Sequence, residues 1–104
     1  MNLIDVEKCI CKGRGVKYAG MMKIGPDTLF SYRSKHGNCI CMSKSYVDEL
    51  DDVCIVLSVV SDLYDGDVIL KETMARIEHE FGSPDLRTKI RKLDYWIYKP
   101  GFPA

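Results

Sequence analysis

Two turn signals, Gly25-Pro26-Asp27 and Lys35-His36-Gly37-Asn38, divide residues 16–43 into three short segments. Pro and Gly stand where reverse turns use them, and Gly37-Asn38 suits positive φ. The segments VKYAGMMKI, TLFSYRS and NCICMS are each too short and too rich in β-formers for a stable helix, so this part of the chain reads as a three-stranded β-meander. The preceding residues 1–15 hold Gly13 and Gly15 and show no period, which predicts an irregular lead-in.

Beyond Ser43 the period changes. Ser43 and Ser45 are suitable N-caps, and Asp48 and Glu49 place negative charge where a helix N-terminus favours it. Val47, Leu50, Cys54, Leu57, Val60 and Leu63 recur at spacings of three and four, which predicts an amphipathic helix ending at Gly66. DVCIVLSVV, dense in β-branched residues, reads alternatively as a buried strand. Leu70, Met74, Ile77 and Phe81 form a stripe that predicts a second helix stopped by Gly82. Ser83-Pro84-Asp85 then resembles a helix start, with Leu86, Ile90 and Leu93 as an inner face and Arg87, Lys89, Arg91 and Lys92 outside it. The expected fold is α+β and winged-helix-like, a three-stranded antiparallel sheet followed by three helices. Residues 16–98 are the expected single domain, and 99–104 a Pro/Gly tail.

The 104 residues suffice for one core, and 46% hydrophobic with 29% charged residues is ordinary globular composition. No apolar run spans a bilayer and no signal-like segment opens the sequence, so a cytoplasmic protein without membrane contact is expected. Lys+Arg and Asp+Glu balance at 15 each, but unevenly. Residues 1–47 carry eight bases and three acids, 48–82 ten acids and two bases, and 83–104 five bases and two acids.

The stretch LYDGDVILKETMARIEHEFGSPDLRTKIRKLDYWI resembles the C-terminal part of the PqqD-like family, the leader-recognition domains of ribosomal-peptide maturation. Leu63, Asp65, Gly66, Glu72, Ile77, Phe81, Leu86, Ile90 and Leu93 carry the resemblance. It implies three strands followed by three helices and a non-catalytic role. In that role the leader of a precursor peptide adds as a strand beside the third strand, against the last helix, for delivery to a maturation enzyme of the radical S-adenosylmethionine class. By position, the peptide-binding residues would be Asn38, Cys39, Ile40, Cys41 and Met42 on the strand, with Leu86, Arg87, Lys89, Ile90, Lys92 and Leu93 on the helix. No cofactor is implied.

Other readings compete. A winged-helix DNA binder would use the basic face of the last helix, but the neutral total charge and the absence of Asn or Gln on that face argue against nucleic acid. A small inhibitor or adaptor of another protein fits the same composition. The echo of Cys9-Ile10-Cys11 in Cys39-Ile40-Cys41 offers four thiols for a zinc site. On a strand, however, Cys-x-Cys sulfurs stand about 6–7 Å apart, wide for one ion, and a small-hydrophobe role is the simpler one. His36 and His79 lack a partnered nucleophile, and no HExxH or phosphate loop occurs, so no enzymatic chemistry is expected.

Overall fold

The computed structural model describes residues 1–101. The N-terminal residues form a helix, α1 (Leu3–Ile10), where the lead-in was expected to be irregular. Asn2 caps it by accepting a hydrogen bond from the Asp5 N–H at 2.9 Å, and the apolar spacing of Val6, Cys9 and Ile10 buries one side. Strands β1 (Val16–Ile24), β2 (Asp27–Ser34) and β3 (Cys39–Val47) follow as the expected meander. The β1–β2 turn is two residues long with Gly25 at φ 59°, and β1 carries a bulge between Tyr18 and Gly20.

From here the architecture departs from the expected one. A single 3₁₀ turn (Asp48–Leu50) leads into a fourth strand, β4 (Asp52–Val60), in place of the first predicted helix. Only a short helix, α2 (Ser61–Asp65), remains of it. α3 (Val68–Phe81) is the second predicted helix, ending before Gly82 at φ 86°. The third predicted helix does not exist. Residues 86–98 form a hairpin, β5 (Leu86–Ile90) and β6 (Leu93–Tyr98), turned by Arg91 and Lys92 with Arg91 at φ 56°. Asp85, expected in a helix's first turn, instead accepts from the Lys99 N–H at 2.7 Å. The protein is therefore a six-stranded antiparallel sheet, ordered β1-β2-β3-β4-β6-β5, with helices on one face, not a three-stranded winged helix. The tail lies partly outside the described residues. Among the described residues, no helix is long and apolar enough to cross a membrane.

Both overturned segments have physical explanations. β4 buries Ile55, Leu57 and Val59 towards the helices and Cys54 on the other side, where Val56 is half-buried, so its apolar residues run on through 53–57 without alternation in the sequence. Such a run satisfies a helical stripe by accident. In the last hairpin, Leu86, Ile90 and Leu93 fit helical spacing, but Leu86-Thr88-Ile90 and Leu93-Tyr95-Ile97 each also alternate with period two. The turn between them has no Gly or Asn to mark it.

The core fills the space between the sheet and α1 with α3. Tyr32, Ile40, Met42, Leu57 and Trp96 from the sheet meet Val6 and Ile10 of α1 and Leu70, Met74 and Ile77 of α3. Polar contacts tie the two layers together. Arg76 of α3 donates to the Cys9 and Ile10 carbonyls at 2.9 and 3.2 Å, satisfying the free C-terminal end of α1. Trp96 donates to Glu78 at 3.0 Å and Tyr98 to the Gly82 carbonyl at 2.9 Å. Burial, with the carboxylates of Glu78 and Asp85 nearby, pushes the Tyr98 phenol up to about 12. Gly15 passes close under α3, where a Cβ would stand 2.7 Å from Ile69 Cγ2.

Asp67 holds the densest of these links. It is 1% exposed and caps α3, accepting from the Ile69 and Leu70 N–H groups at 2.9 and 3.2 Å. Its other oxygen accepts from Ser34 at 2.7 Å and Asn38 at 2.9 Å, which frame the β2–β3 turn. Burial acts to raise its pKa, but the hydroxyl, amide and backbone donors outweigh it and hold the carboxyl below its ordinary value. The contribution is thus full above the unfolded carboxyl's pKa, near 3.9, and fades as pH falls through the lower folded value. Asp67→Ala is expected to lower the unfolding free energy by about 2–3 kcal/mol at pH 7, as it removes a cap and strands buried donors. Urea unfolding of Asp67→Asn should show a deficit at pH 7 that shrinks below about pH 4.

Candidate functional site

The helices cover one face of the sheet, and the opposite face is open. Side-chain alternation sends Leu29, Ser31 and Arg33 of β2, Cys39, Cys41, Ser43 and Ser45 of β3, and Cys54, Val56 and Ser58 of β4 to that open face. From the far side come Leu93, Tyr95 and Ile97 of β6 and Leu86, Thr88 and Ile90 of β5. The sizes of these residues shape the surface. The central strands present mainly Cys, Ser and Val, while large apolar side chains rise on both flanks. A trough of about 640 Å³ results, with Ser43, Ser45, Val56 and Ser58 as floor. Ile24 and Leu29 form one wall and Leu86, Ile90, Leu93, Tyr95 and Ile97 the other.

One end of the trough is closed by the 3₁₀ turn. Leu50 packs there on a small second core of Val47, Cys54 and Ile97, and Asp48 and Glu49 form the lip. Asp27 stands at the same end. A polar chain runs from it along the floor: Ser45 donates to Asp27 at 3.0 Å, so the Ser43 hydroxyl, 3.1 Å away, donates to Ser45. The carboxylates of Asp27, Asp48 and Glu49 are the only charged groups lining the trough among the described residues.

The residues predicted for peptide binding separate into three groups. Leu86, Ile90 and Leu93 line the trough, and Cys39 and Cys41 lie on its face of the sheet, Cys41 with its thiol 3.8 Å from the Ser31 hydroxyl. Ile40 and Met42 point the other way and are core, 0% and 1% exposed. Asn38 is engaged with Asp67, and Arg87 lies 3.7 Å over the Trp96 ring and bridges Asp94 at 3.2 Å. Lys89 and Lys92 are exposed on the hairpin. β3 itself is paired on both sides, to β2 and β4, so it offers no edge for strand addition. The loss of the last helix also removes the recognition helix of the DNA-binding alternative. Leu29, Val56, Tyr95 and Ile97 went unnoticed as site residues because nothing local marks which side of a strand stays open.

The four-thiol alternative fails on geometry. Cys9 is buried on the inner side of α1, whereas Cys39 and Cys41 lie on the open side of the sheet. No cluster of three or more metal-ligating side chains occurs among the described residues. Cys54 is buried in a strand at the closed end of the trough, not in a helix. Burial raises the Cys9, Cys41 and Cys54 thiols above their ordinary range, keeping them protonated at neutral pH.

Comparison with known proteins finds no matching family model, no matching curated protein and no matching solved structure. Thiol labelling of the folded protein reports on the arrangement directly. The half-buried Cys11, Cys39 and Cys41 should react with a maleimide before Cys9 and Cys54, which need local opening first. Mass mapping of the labelled sites checks the order.

Proposed function

We propose that this chain is a non-catalytic binding protein that receives a polypeptide segment of another protein in the trough on the open face of its sheet. The observation that carries the reading is the trough's construction. Small residues along two central strands are flanked by large apolar ones, of which Ile97, Leu86 and Tyr95 pack on the small second core while Ile24 and Ile90 stand 54% and 58% exposed. Apolar walls around a floor of small residues, with charged groups at the lip, are a form in which polypeptide-binding sites present themselves. The edges of the sheet favour the face over strand addition. β5 is five residues long with Arg87 and Lys89 directed away from the trough, and β1 is bulged, both features that discourage edge pairing.

Peptide capture, the role implied by the PqqD-like resemblance, is retained here in its general form, with the trough replacing the strand edge. A precursor's leader, handed on to a maturation enzyme, is one source of such a segment. A surface of a protein that this chain inhibits or bridges is another.

Selection of a displayed library of random peptides against the folded protein tests the reading. Enriched peptides should bind the native chain and lose at least about tenfold in affinity to Ser58→Arg and Thr88→Arg, which fill the trough from its floor and wall without touching the helix-side core. Peptides that bind both variants as well as the native chain would place the site elsewhere. Unchanged thermal unfolding verifies that the variants remain folded.

A further inference from the structure

The trough's dimensions and charge describe its occupant more closely. This inference rests on the polypeptide-binding reading above. The wall strands β2 and β6 are three strand spacings apart, separated by β3 and β4. That is about 14 Å between strand axes, a width at which an α-helix about 10–12 Å across rests along the walls with its side chains reaching down towards the floor. On β3 the trough lies between Ser43 and Val47, and the same open face continues through Cys41 to Cys39, so that the face is about 26 Å long in all, the length of roughly 17 helical residues. A second copy of this sheet fits poorly. Two recessed floors facing each other would meet only at their walls and leave an unfilled space between them.

Charge is ordered along the trough. Asp27, Asp48 and Glu49 stand at one end, at the level where Asp27 reaches Ser45 and where β3 ends. At the opposite end of the same face, Lys17 and Arg33 are cross-strand neighbours, and Arg91 and Lys92 turn the hairpin beside Ile90 and Leu93. Like charges directly opposite each other weaken a sheet, so the Lys17–Arg33 pair runs against the stability of the isolated chain. Among the described residues no base lines the trough, and only Ser45 bonds Asp27. Asp48 and Glu49 are exposed and make no side-chain hydrogen bond or ion pair among the described residues.

We infer that the trough takes an amphipathic helix of a partner protein, laid along the strands with its apolar side turned in between the apolar walls and Lys or Arg residues at the end that meets Asp27, Asp48 and Glu49. Basic side chains there form up to three ion pairs, with Asp48 and Glu49, which make no side-chain bond among the described residues, and with Asp27, which Ser45 engages through one oxygen. Acidic residues at the helix's other end face Lys17, Arg33 and the hairpin turn. The apolar side supplies affinity, and the charge order sets the register and which end lies where.

Three synthetic helical peptides of about 17 residues test this, sharing one apolar face and carrying Lys, Gln or Glu at the charged end. Titration into the labelled protein, followed by amide NMR, should show the Lys peptide binding at least about tenfold tighter than the Gln peptide, with shifts at trough residues. The combined Asp27→Asn, Asp48→Asn and Glu49→Gln substitutions should abolish that preference, as should high salt, and Asp48→Lys with Glu49→Lys should favour the Glu peptide. Equal binding of the Lys and Gln peptides in the trough overturns the charge assignment but leaves the polypeptide-binding reading standing. Failure of all three, in a protein whose displayed-library binders also ignore the trough, overturns both. Concentration-dependent self-association abolished by Ser58→Arg would make a second copy the occupant and overturn the inference.

Discussion

Asp67 is the point at which the two layers of this protein are locked together. One carboxylate accepts four hydrogen bonds, two from the first turn of α3 and two from the residues framing the β2–β3 turn. A buried charge is tolerable only when its lone pairs are used, and here the donors are supplied by segments about thirty residues apart in sequence. The consequence is directional. With α3 anchored at its N-terminus to one end of the sheet, Leu70, Met74 and Ile77 come down on Ile40, Met42 and Leu57, and Arg76 reaches the end of α1. Both longer helices are thereby committed to one face.

Commitment to one face creates the trough. A six-stranded sheet has two faces to cover, and the helices α1 and α3 cover one of them. On the other, the described residues supply cover only at the end closed by Leu50. The remainder is shaped by a size gradient across the strands, from Ser and Cys at the centre to Leu, Ile and Tyr at the flanks. Had the central strands carried large residues there, the face would be flat. The acidic lip of Asp48 and Glu49 follows from the same 3₁₀ turn, because the residues that fold Leu50 onto the sheet bring their neighbours to the rim.

The resemblance to a leader-recognition domain rested on residues whose spacing suits more than one structure. Leu86, Ile90 and Leu93 occupy one side of a helix by spacing, and in the hairpin they share the open face of the sheet instead. They share a face in either arrangement, but the element that carries them is a hairpin and not a helix. Cys39 and Cys41 likewise share a face, as their strand placement required, and it is the face of the trough. Ile40 and Met42 could not be counted with them, since neighbours along a strand point to opposite sides and here the opposite side is core.

What could be read without coordinates was local. Gly25-Pro26 and Gly37-Asn38 enforce turns through the conformations that only such residues adopt cheaply, so the meander over residues 16–43 was legible. The stripe of Leu70, Met74 and Ile77 with its Gly82 stop was legible for the same reason. By contrast, DVCIVLSVV becomes a strand because β3 and β6 pair with it on either side, and LRTKI pairs with LDYWIY across a turn that carries no turn residue. These choices depend on partners distant in sequence. So does the open face: a strand's alternation divides its side chains into two sets, and which set meets the helices is settled by where Asp67 anchors α3.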